Sequence, residues 1–464
     1  MFSKEVYMSR RKKLKEEIKN GIILVCGNEL SPMNCEDNTY PFMQDSTFLY
    51  YFGLDRENLF GIIDVDNDKD YIFGNELTMD DIIWMGPQVT LKEQCESVGI
   101  ENVHSLDELN EFMTNLQKEK KTVHYIPQYR HSLMIKMADW FKVSPNDINK
   151  NISENLCFAV ANQRNIKTPE EIEEIEKAVN VTRDMHLAAM KAIKPGMMEY
   201  EVAAILENIS RSQNSSLSFP TICTINGQTL HNHYHGNKIK EGDLLLIDAG
   251  ARIESGYCGD MTTTHPVSGK FTERQKDIYN LLISMFDKAE ELIKPGITYL
   301  DVHLAVCKVL AKGMIERNIL RGNPDEIVKN GVHALFMPHG LGHMMGLDVH
   351  DMENIGEPIV GYNGNKKSSQ FGLSSLRLGR TLETGFVFTV EPGIYFIPEL
   401  ISKWKSENKF SEYINYDELE KYLDFGGMRY EGDYLVTENG NRRLGNKMPK
   451  YPNEIEAIRE EAFK

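Results

Sequence analysis

Apolar and polar residues follow two different periods in the N-terminal third of the chain. Short apolar stretches bounded by glycine, proline or polar turn residues are typical of buried strands, and they lie at 21–27 and 121–127, while 60–74 has the pattern of a strand, a polar turn and a second strand. The segments 1–20 and 106–118 carry patterns typical of helices. Since alternating strands and helices indicate an α/β domain, we assign residues 1–163 to one.

A strong helix start marks the beginning of a second domain, assigned to residues 164–464. Thr168 is a favourable N-cap, Pro169 takes the first helical position, and acidic residues fill the first turn. Two long predicted helices end in the sequence Lys-Pro-Gly, at 194–196 and 294–296, and each is followed by another helix. This repeated unit hints at an internal duplication.

Two segments near the C-terminus are predicted to be insertions between strands. Residues 355–380 are rich in glycine, serine and asparagine and are expected to form a loop. Residues 398–427 contain helical stretches and several aromatic residues, so we expect them to be ordered.

The composition excludes several kinds of protein. The 464 residues carry 52 Lys and Arg against 69 Asp and Glu, a formal net charge of −17, which disfavours nucleic acid and anionic membranes as partners. No apolar stretch approaches the roughly 20 residues of a membrane helix, and the N-terminus lacks the apolar core of a signal peptide. Seven scattered cysteines without a Cys-x-x-Cys pair favour reduced thiols in a cytoplasmic protein.

Five residues of the C-terminal half suggest a metal site. Each lies in a short apolar or glycine-bearing stretch, and together they are Asp248, Asp260, His343, Glu391 and Glu431. A carboxylate at the end of an apolar strand is costly to bury unless a cation or hydrogen-bond donors compensate it. Four carboxylates and one imidazole would suit two divalent cations, and such sites carry out metal-assisted hydrolysis.

Each of these residues also has a structural explanation. One aspartate alone is more often a turn or capping residue, but Asp248 and Asp260 could face each other across a β-hairpin, where like charges need a counter-ion. His339, His343 and His350 lie among glycines, which allow close approach to a ligand and disfavour a helical zinc pair. A core histidine is the default interpretation for any single one of them.

Arg429 is expected beside the acidic residues. In the stretch 428–437, alternation places Arg429 and Glu431 on one face of a strand, so the guanidinium could orient Glu431 or bind a substrate carbonyl or carboxylate. A surface salt bridge is the alternative explanation for Arg429.

The five stretches, in this order, resemble the pita-bread metallopeptidases, the family of aminopeptidase P, prolidase and methionine aminopeptidase. The resemblance implies an α/β N-terminal domain and an α+β pita-bread catalytic domain with pseudo-two-fold halves, which agrees with the repeated Lys-Pro-Gly units. It also implies two divalent metal ions, expected to be manganese, held by Asp248, Asp260, His343, Glu391 and Glu431.

Finer matches favour the aminopeptidase P group and imply roles for further residues. The matching segments are 37–54, 160–172, 229–243, 339–351 and 391–395. They imply catalytic roles for Glu391, His231, His339 and His350, and substrate-binding roles for Asp37, Arg164, Tyr395 and Arg429. Distance from the glycine–aspartate pair before the apolar strand favours His231 over His233 or His235.

From this resemblance we expect an aminopeptidase that removes the first residue of peptides with proline at position two. A water molecule bridging the two metals would give a proton to Glu391 and attack as hydroxide, and His350 would hold the scissile carbonyl. His339 and His231 would shape the tetrahedral intermediate and the proline pocket. The N-terminal domain would govern substrate access and form contacts in a homo-oligomer, a dimer or tetramer, with Asp37 binding the α-amine of the substrate.

Three alternatives stay open at this level. Prolidase, which cleaves Xaa-Pro dipeptides, is the nearest one, and a non-catalytic peptide-binding relative is the second, although no ligand is lost. Methionine aminopeptidase is the third and is less favoured, because such enzymes need no N-terminal domain of this size. Two features depart from the family pattern: the turn between Asp248 and Asp260 is longer than expected, and Gly432 replaces an acidic residue, which we expect to loosen hydrogen bonding around Glu431.

Overall fold

The structure, a computed structural model, describes residues 2–461 and 463. The chain divides into two compact units. The N-terminal unit contains the chain up to residue 164 together with 352–360, and the C-terminal unit contains 165–351 and the chain from 361 onwards. Among the described helices, none is both long enough and apolar enough to cross a bilayer.

The N-terminal unit is built from short helices around one mixed sheet. Its helices are α1 (Lys4–Ile18), α2 (Ser46–Phe52), α3 (Met79–Met85), α4 (Leu91–Ser97), α5 (Leu106–Lys118), α6 (His131–Phe141) and α7 (Glu154–Asn165), with a 3₁₀ helix at Pro145–Lys150. Its strands are β1 (Ile22–Cys26), β2 (Pro32–Cys35), β3 (Asn38–Thr39), β4 (Phe60–Asp64), β5 (Lys69–Phe73), β6 (Asn102–His104) and β7 (Val123–His124).

The apolar stretches of this unit form the sheet that their pattern predicts. The strand order is β6-β5-β4-β1-β7, with the predicted antiparallel pair β4–β5 in the middle and parallel partners at both edges. All five residues of β1 and of β4 are buried, which explains their continuous apolar runs. The strand predicted at 121–127 is only two residues long and forms β7.

The C-terminal unit combines long helices with several small antiparallel sheets. The helices that follow in the chain are α8 (Pro169–Ala192), α9 (Glu199–Ser212), α10 (Glu273–Leu292), α11 (Tyr299–Glu316), α12 (Pro324–Lys329), α13 (Glu357–Val360, in the N-terminal unit), α14 (Pro398–Ser406), α15 (Tyr416–Leu419) and α16 (Pro452–Glu461), with 3₁₀ helices at Val332–Leu335, Leu373–Ser375 and Glu420–Tyr422. The strands are β8 (Ser216–Leu217), β9 (Ile222–Thr224), β10 (Leu244–Ala249), β11 (Ala251–Arg252), β12 (Met261–Pro266), β13 (Val387–Val390), β14 (Gly393–Tyr395), β15 (Gly427–Arg429), β16 (Gly432–Val436) and β17 (Asn441–Arg443).

Two halves of this unit repeat the same local structure, as the Lys-Pro-Gly pattern suggests. The glycines after α8 and α10, Gly196 and Gly296, both have a positive φ, near 90°, a conformation that glycine adopts readily. The Gly196 amide donates to the Ile239 carbonyl, and the Gly296 amide donates to the Leu382 carbonyl. The two hydrogen bonds are equivalent in the two halves. Each half also has a three-stranded antiparallel sheet, β12-β10-β9 in the first and β13-β16-β17 in the second.

One predicted strand is divided in two. The stretch 428–437 was expected to form a single strand, but β15 pairs with β14 while β16 pairs with β13 and β17. The residues between them leave the ladder because the Glu431 amide donates to the carbonyl of Thr262, in the other half, at 2.9 Å. The prediction that Arg429 and Glu431 share the face of one continuous strand is therefore wrong.

The two predicted insertions differ in order. Residues 355–380 are mainly irregular, apart from α13 and one short 3₁₀ helix, as expected of a glycine-rich segment. Residues 398–427 form α14, α15 and a 3₁₀ helix, and Trp404 of α14 is buried, which agrees with the predicted helical order.

Candidate metal centre

All five predicted metal ligands line one cavity in the C-terminal unit. The cavity has a volume of about 450 Å³, and its walls include Asp248, Asp260, His343, Glu391 and Glu431. Ligand atoms of Asp260, His343 and Glu431 lie within 4.8 Å of one another. The fold therefore brings together residues that are separated by up to 183 positions in sequence, from Asp248 to Glu431.

The two aspartates come from the first half. Asp248 lies within β10, and Asp260 immediately precedes β12, which pairs antiparallel with β10. The ladder places Asp248 opposite Thr262, not opposite Asp260, so the expectation that the two aspartates directly face each other in the hairpin needs correction. The Asp260 amide donates to Oδ2 of Asp433 at 3.2 Å, which anchors the chain at this point.

His343 and Glu391 are held next to each other by backbone pairing in the second half. The segment before His343 runs along β13: the Glu391 amide donates to the Leu341 carbonyl at 2.8 Å, and the Thr389 amide donates to the His343 carbonyl at 3.0 Å. As a result, Nε2 of His343 lies 3.7 Å from Oε1 of Glu391 and 3.5 Å from Oδ2 of Asp260.

Threonines join the two halves at the site. The Thr262 hydroxyl donates to Oε2 of Glu431 at 2.6 Å, while the Thr262 carbonyl accepts from the Glu431 amide. Two positions further along β12, Thr264 exchanges hydrogen bonds with the backbone of Arg429, at 3.0 and 3.2 Å. Glu431 is thus positioned by the strand that follows Asp260.

Hydrogen bonding fixes the tautomer of His343. Its Nδ1 lies 3.0 Å from the Met344 carbonyl, which can only accept, so Nδ1 carries the proton and donates. The lone pair of Nε2 then points towards the carboxylates of Asp260 and Glu391. This is the arrangement of a metal-ligating histidine whose second nitrogen is held by a carbonyl.

Arg429 is the buried cation of the site. Its Nη2 donates to Oδ2 of Asp248 at 2.5 Å, Nε donates to the Thr262 hydroxyl at 3.0 Å, and Nη1 donates to the Tyr395 hydroxyl at 2.9 Å. The side chain of Arg429 is about 5% exposed, so the alternative of a surface salt bridge does not apply.

The acidic residues have the electrostatics of a site that requires cations. Burial, together with the neighbouring carboxylates, raises the pKa of Asp260 and of Glu431 well above the ordinary range. Burial raises the pKa of Glu391 to about 7, although His343 and Arg429 oppose this. Within the described residues, Oδ1 of Asp260 is buried without a hydrogen-bond partner.

The charges of the cavity residues indicate which metal ions the site could hold. Four carboxylates and one guanidinium give a net charge of −3 when all are ionised (−4 + 1), and two divalent cations would supply +4. Oxygen donors with one imidazole are the ligands that hard divalent ions prefer. The donor set and the unpartnered oxygen of Asp260 therefore fit a pair of divalent metal ions.

Comparison with known proteins agrees with this site. Residues 173–438 match metallopeptidase family M24, and residues 7–125 match the N-terminal domain of aminopeptidase P. The chain belongs to family M24. The two matches confirm the predicted resemblance and the order of an α/β domain followed by an α+β metallopeptidase domain.

The similar proteins include both Xaa-Pro dipeptidases and Xaa-Pro aminopeptidases. The chain is 31% identical to the Xaa-Pro dipeptidase of Homo sapiens, over 94% of this chain and 88% of that protein. It is 29% identical to the Xaa-Pro aminopeptidase of Escherichia coli K12, over 98% of both chains. Zinc-substituted E. coli aminopeptidase P in complex with product has a similar structure, with a TM-score of 0.82 at 28% identity, covering 100% of this chain and 99% of that one.

Four further histidines line the cavity of this M24 enzyme, and one of them is His233, which the sequence had ranked below His231. The other three are the predicted His231, His339 and His350, and the ring of His350 packs edge-on against that of His343, with centroids 4.3 Å apart. Nδ1 of His339 donates to the Gly340 carbonyl at 2.7 Å, so its Nε2 accepts from the Tyr395 hydroxyl at 2.9 Å. Burial lowers the pKa of His339 to about 3, with Arg429 acting in the same direction.

The predicted substrate-binding residues lie in different places. Arg429 lines the cavity, whereas Tyr395 is buried and hydrogen-bonds to both His339 and Arg429. Asp37 is exposed in the turn between β2 and β3 of the N-terminal unit. Arg164 is buried in the same unit, where Nη1 donates to the hydroxyls of Ser46 and Thr47 at 3.2 and 2.9 Å. The cavity itself is lined by C-terminal residues.

Sequence reasoning missed several residues that support the site. Asp433 is fully buried and accepts from the Asp260 amide, and burial raises its pKa well above the ordinary range. Its position two residues after Glu431, within an apolar strand, was the available signal. Thr262 and Thr389 gave no signal, since only the tertiary structure shows that their hydroxyls reach Glu431 and the His343 amide.

Gly432 does not leave a gap. A β-carbon at this position would come within 2.8 Å of Nε and Nη2 of Arg443, so the guanidinium occupies the space beside the glycine. The Arg443 Nη1 donates to the Tyr430 hydroxyl at 3.1 Å. A cation from β17 therefore packs beside Gly432, and Glu431 still accepts the hydrogen bond from Thr262, although the sequence had suggested loosened hydrogen bonding around Glu431.

Proposed function

We propose that this protein releases the first residue of peptides that have proline at the second position. The observation that carries the proposal is that the four carboxylates and His343 line the same cavity as His231, His339 and His350. Membership of family M24 supports hydrolysis, and the Xaa-Pro names of its relatives support the specificity.

We assign the metal ligands as Asp248, Asp260, His343, Glu391 and Glu431, and we expect manganese. Bound divalent ions would polarise the scissile carbonyl and lower the pKa of a water molecule.

The remaining chemistry falls to side chains of the cavity. Glu391 would accept a proton from the attacking water and pass it to the leaving amine; the pKa of about 7 that burial gives it applies to the metal-free protein. His350 would donate to the carbonyl oxygen. Burial and Arg429 lower the pKa of His231, so it would act as a neutral hydrogen-bond donor. His339, kept neutral and oriented by Tyr395, would position the substrate.

The apolar part of the cavity lining suits a proline ring. Its apolar residues include Phe219, Pro220, Ile222, Leu230, Pro338 and Val349. Proline has no backbone N–H, so binding contacts directed at that group fail and apolar contacts must replace them.

Prolidase activity is the second candidate, and Arg377 favours it. Arg377 lines the cavity together with His231, His339 and His350. A guanidinium is well suited to bind a carboxylate, and in an Xaa-Pro dipeptide the carboxylate belongs to the proline itself. In a longer peptide this group is an amide, so an arginine contributes less to binding.

A kinetic panel separates the two activities. Xaa-Pro dipeptides, Xaa-Pro-Xaa tripeptides and Xaa-Ala-Xaa controls are compared with manganese, cobalt and zinc. We expect cleavage of the tripeptides and at least about a hundredfold lower kcat in Glu391→Gln. Preference for dipeptides, lost in Arg377→Ala, would instead assign prolidase. Full activity of Glu391→Gln would contradict the role of Glu391, and absence of bound metal after manganese loading would favour a non-catalytic peptide-binding protein.

The cellular setting is also a proposal. All seven cysteines are free and only Cys35 is exposed, which supports a reducing, cytoplasmic compartment. We propose a dimer or tetramer in which the N-terminal unit governs substrate access and Asp37, exposed on its turn, binds the substrate amine of the same or a neighbouring subunit. Light scattering gives the oligomeric state, and Asp37→Asn should raise KM if Asp37 binds the amine.

A further inference from the structure

A second cluster of metal-ligand side chains lies outside the cavity of the M24 site. His303 and Cys307 are one helical turn apart on α11, and His333 lies in the 3₁₀ helix Val332–Leu335. All three side chains are fully buried, and their ligand atoms lie within 4.8 Å of one another. None of the three lines the cavity described above.

Three of the four ring nitrogens in this cluster lack well-formed hydrogen bonds to the described residues. In the part of the chain that the structure describes, Nδ1 of His303 and both ring nitrogens of His333 are buried without a hydrogen bond of good geometry, and the Val328 carbonyl interacts only weakly with His333. An unpaired buried polar group costs free energy, and a native structure normally avoids it. Burial lowers the pKa of His303 to about 3 and that of His333 to about 4, with the Val328 carbonyl opposing the shift at His333. Both imidazoles are therefore neutral at pH 7 and can act as ligands.

The spacing within the cluster suits a shared metal ion. Sγ of Cys307 lies 3.5 Å from Nε2 of His303. Two such atoms bound to one tetrahedral zinc at ordinary bond lengths stand about 3.6 Å apart. Without metal, the same distance corresponds to a weak thiol–imidazole hydrogen bond, which still leaves His333 without a well-formed hydrogen bond.

We propose that His303, Cys307 and His333 bind a thiophilic metal ion of the zinc and cuprous copper class. A thiolate and two imidazoles are soft or borderline ligands, in contrast to the oxygen-rich M24 site, so the two sites select different ions. One thiolate neutralises the charge of a cuprous ion, whereas a zinc ion keeps one positive charge in a buried place. The bound ion would tie α11 to the 3₁₀ helix that precedes the segment carrying His339 and His343.

Thiolate ligation gives this site its own signal. The purified full-length protein is saturated with Mn²⁺ and then titrated anaerobically with Cu⁺ against a chromophoric chelator, and in parallel with Co²⁺ as an optical substitute for zinc. A thiolate-to-cobalt charge-transfer band reports this site, because the predicted ligands of the M24 site include no cysteine. We expect one Cu⁺ per chain and such a band.

Matched variants decide the assignment. Cys307→Ala and, independently, His333→Ala should weaken Cu⁺ binding at least about tenfold and abolish the cobalt band. Cys157→Ala, which removes a buried cysteine of the N-terminal unit, should keep both, as should Cys258→Ala, near Asp260. Circular dichroism and retained Mn²⁺ binding establish that each variant is folded. Unchanged Cu⁺ affinity in folded Cys307→Ala and His333→Ala, or no stoichiometric binding in the parent protein, would overturn the proposal and leave only a thiol–imidazole hydrogen bond.

Discussion

Replacing Glu391 with glutamine should stabilise the metal-free protein at neutral and alkaline pH. Burial raises the pKa of Glu391 from 4.5 to about 7 in the folded protein. Below pH 4.5 the carboxyl is protonated in both folded and unfolded chains, so it contributes no pH-dependent difference. Between these values the folded state holds a proton that the unfolded state has lost, so stability falls as pH rises, and the full penalty is present above pH 7.

The magnitude follows from the shift. A difference of 7 − 4.5 = 2.5 units corresponds to about 3 kcal/mol. Because the Glu391 side chain is 19% exposed, this is an upper figure. Glutamine keeps the shape of the side chain but cannot ionise, so the variant escapes the penalty.

The assay is urea denaturation in the presence of a strong chelator at a series of pH values from 5 to 8. Glu391→Gln should exceed the parent protein by up to about 3 kcal/mol at pH 8, and the difference should shrink towards pH 5. Glu438→Gln, an exposed glutamate between β16 and β17, is the control. With saturating manganese the order should reverse, because the variant has lost an anionic ligand. A metal-free variant that is less stable than its parent at pH 8, or a difference independent of pH, would refute the reasoning.

Three further substitutions test the supporting contacts. Arg429→Lys keeps the charge but loses the guanidinium that bonds Asp248, Thr262 and Tyr395. The free energy of unfolding of the metal-free protein, measured in urea, should therefore fall by about 2 kcal/mol or more. The control Arg442→Lys, at an exposed position, should have little effect. Tyr395→Phe removes the hydroxyl that bonds both His339 and Arg429, and it should lower kcat more than it lowers manganese affinity. Steady-state kinetics measure kcat, and metal titration measures the affinity. An equal fold-loss in both quantities would argue against a positioning role for Tyr395. Gly432→Ala should lower the free energy of unfolding, measured in urea, by about 1–3 kcal/mol because the new β-carbon meets Arg443. Gly440→Ala has open space around it and should be nearly neutral. Equal effects of the two substitutions would show that Arg443 moves freely.

The sequence alone determined the local elements and the chemistry of the site. Apolar stretches such as 21–27 became buried strands because periodicity and turn residues act over a few positions. The Lys-Pro-Gly units marked a real repeat, since a glycine with positive φ is needed at each turn. Residue types were also sufficient for the five metal-site candidates: carboxylates in apolar stretches are costly unless something compensates them.

Only the tertiary structure decided which side chains complete the site. The stretch 428–437 has one uniform alternation, yet it forms two strands, because Glu431 pairs with Thr262 of the other half. Asp433 and Thr262 became supporting residues for the same reason, as hydrogen bonds across the two halves have no local sequence pattern. The His303, Cys307 and His333 cluster likewise depends on α11 meeting a turn 26 residues further on (333 − 307). Local periodicity specifies elements, whereas long-range packing specifies which of their polar residues meet.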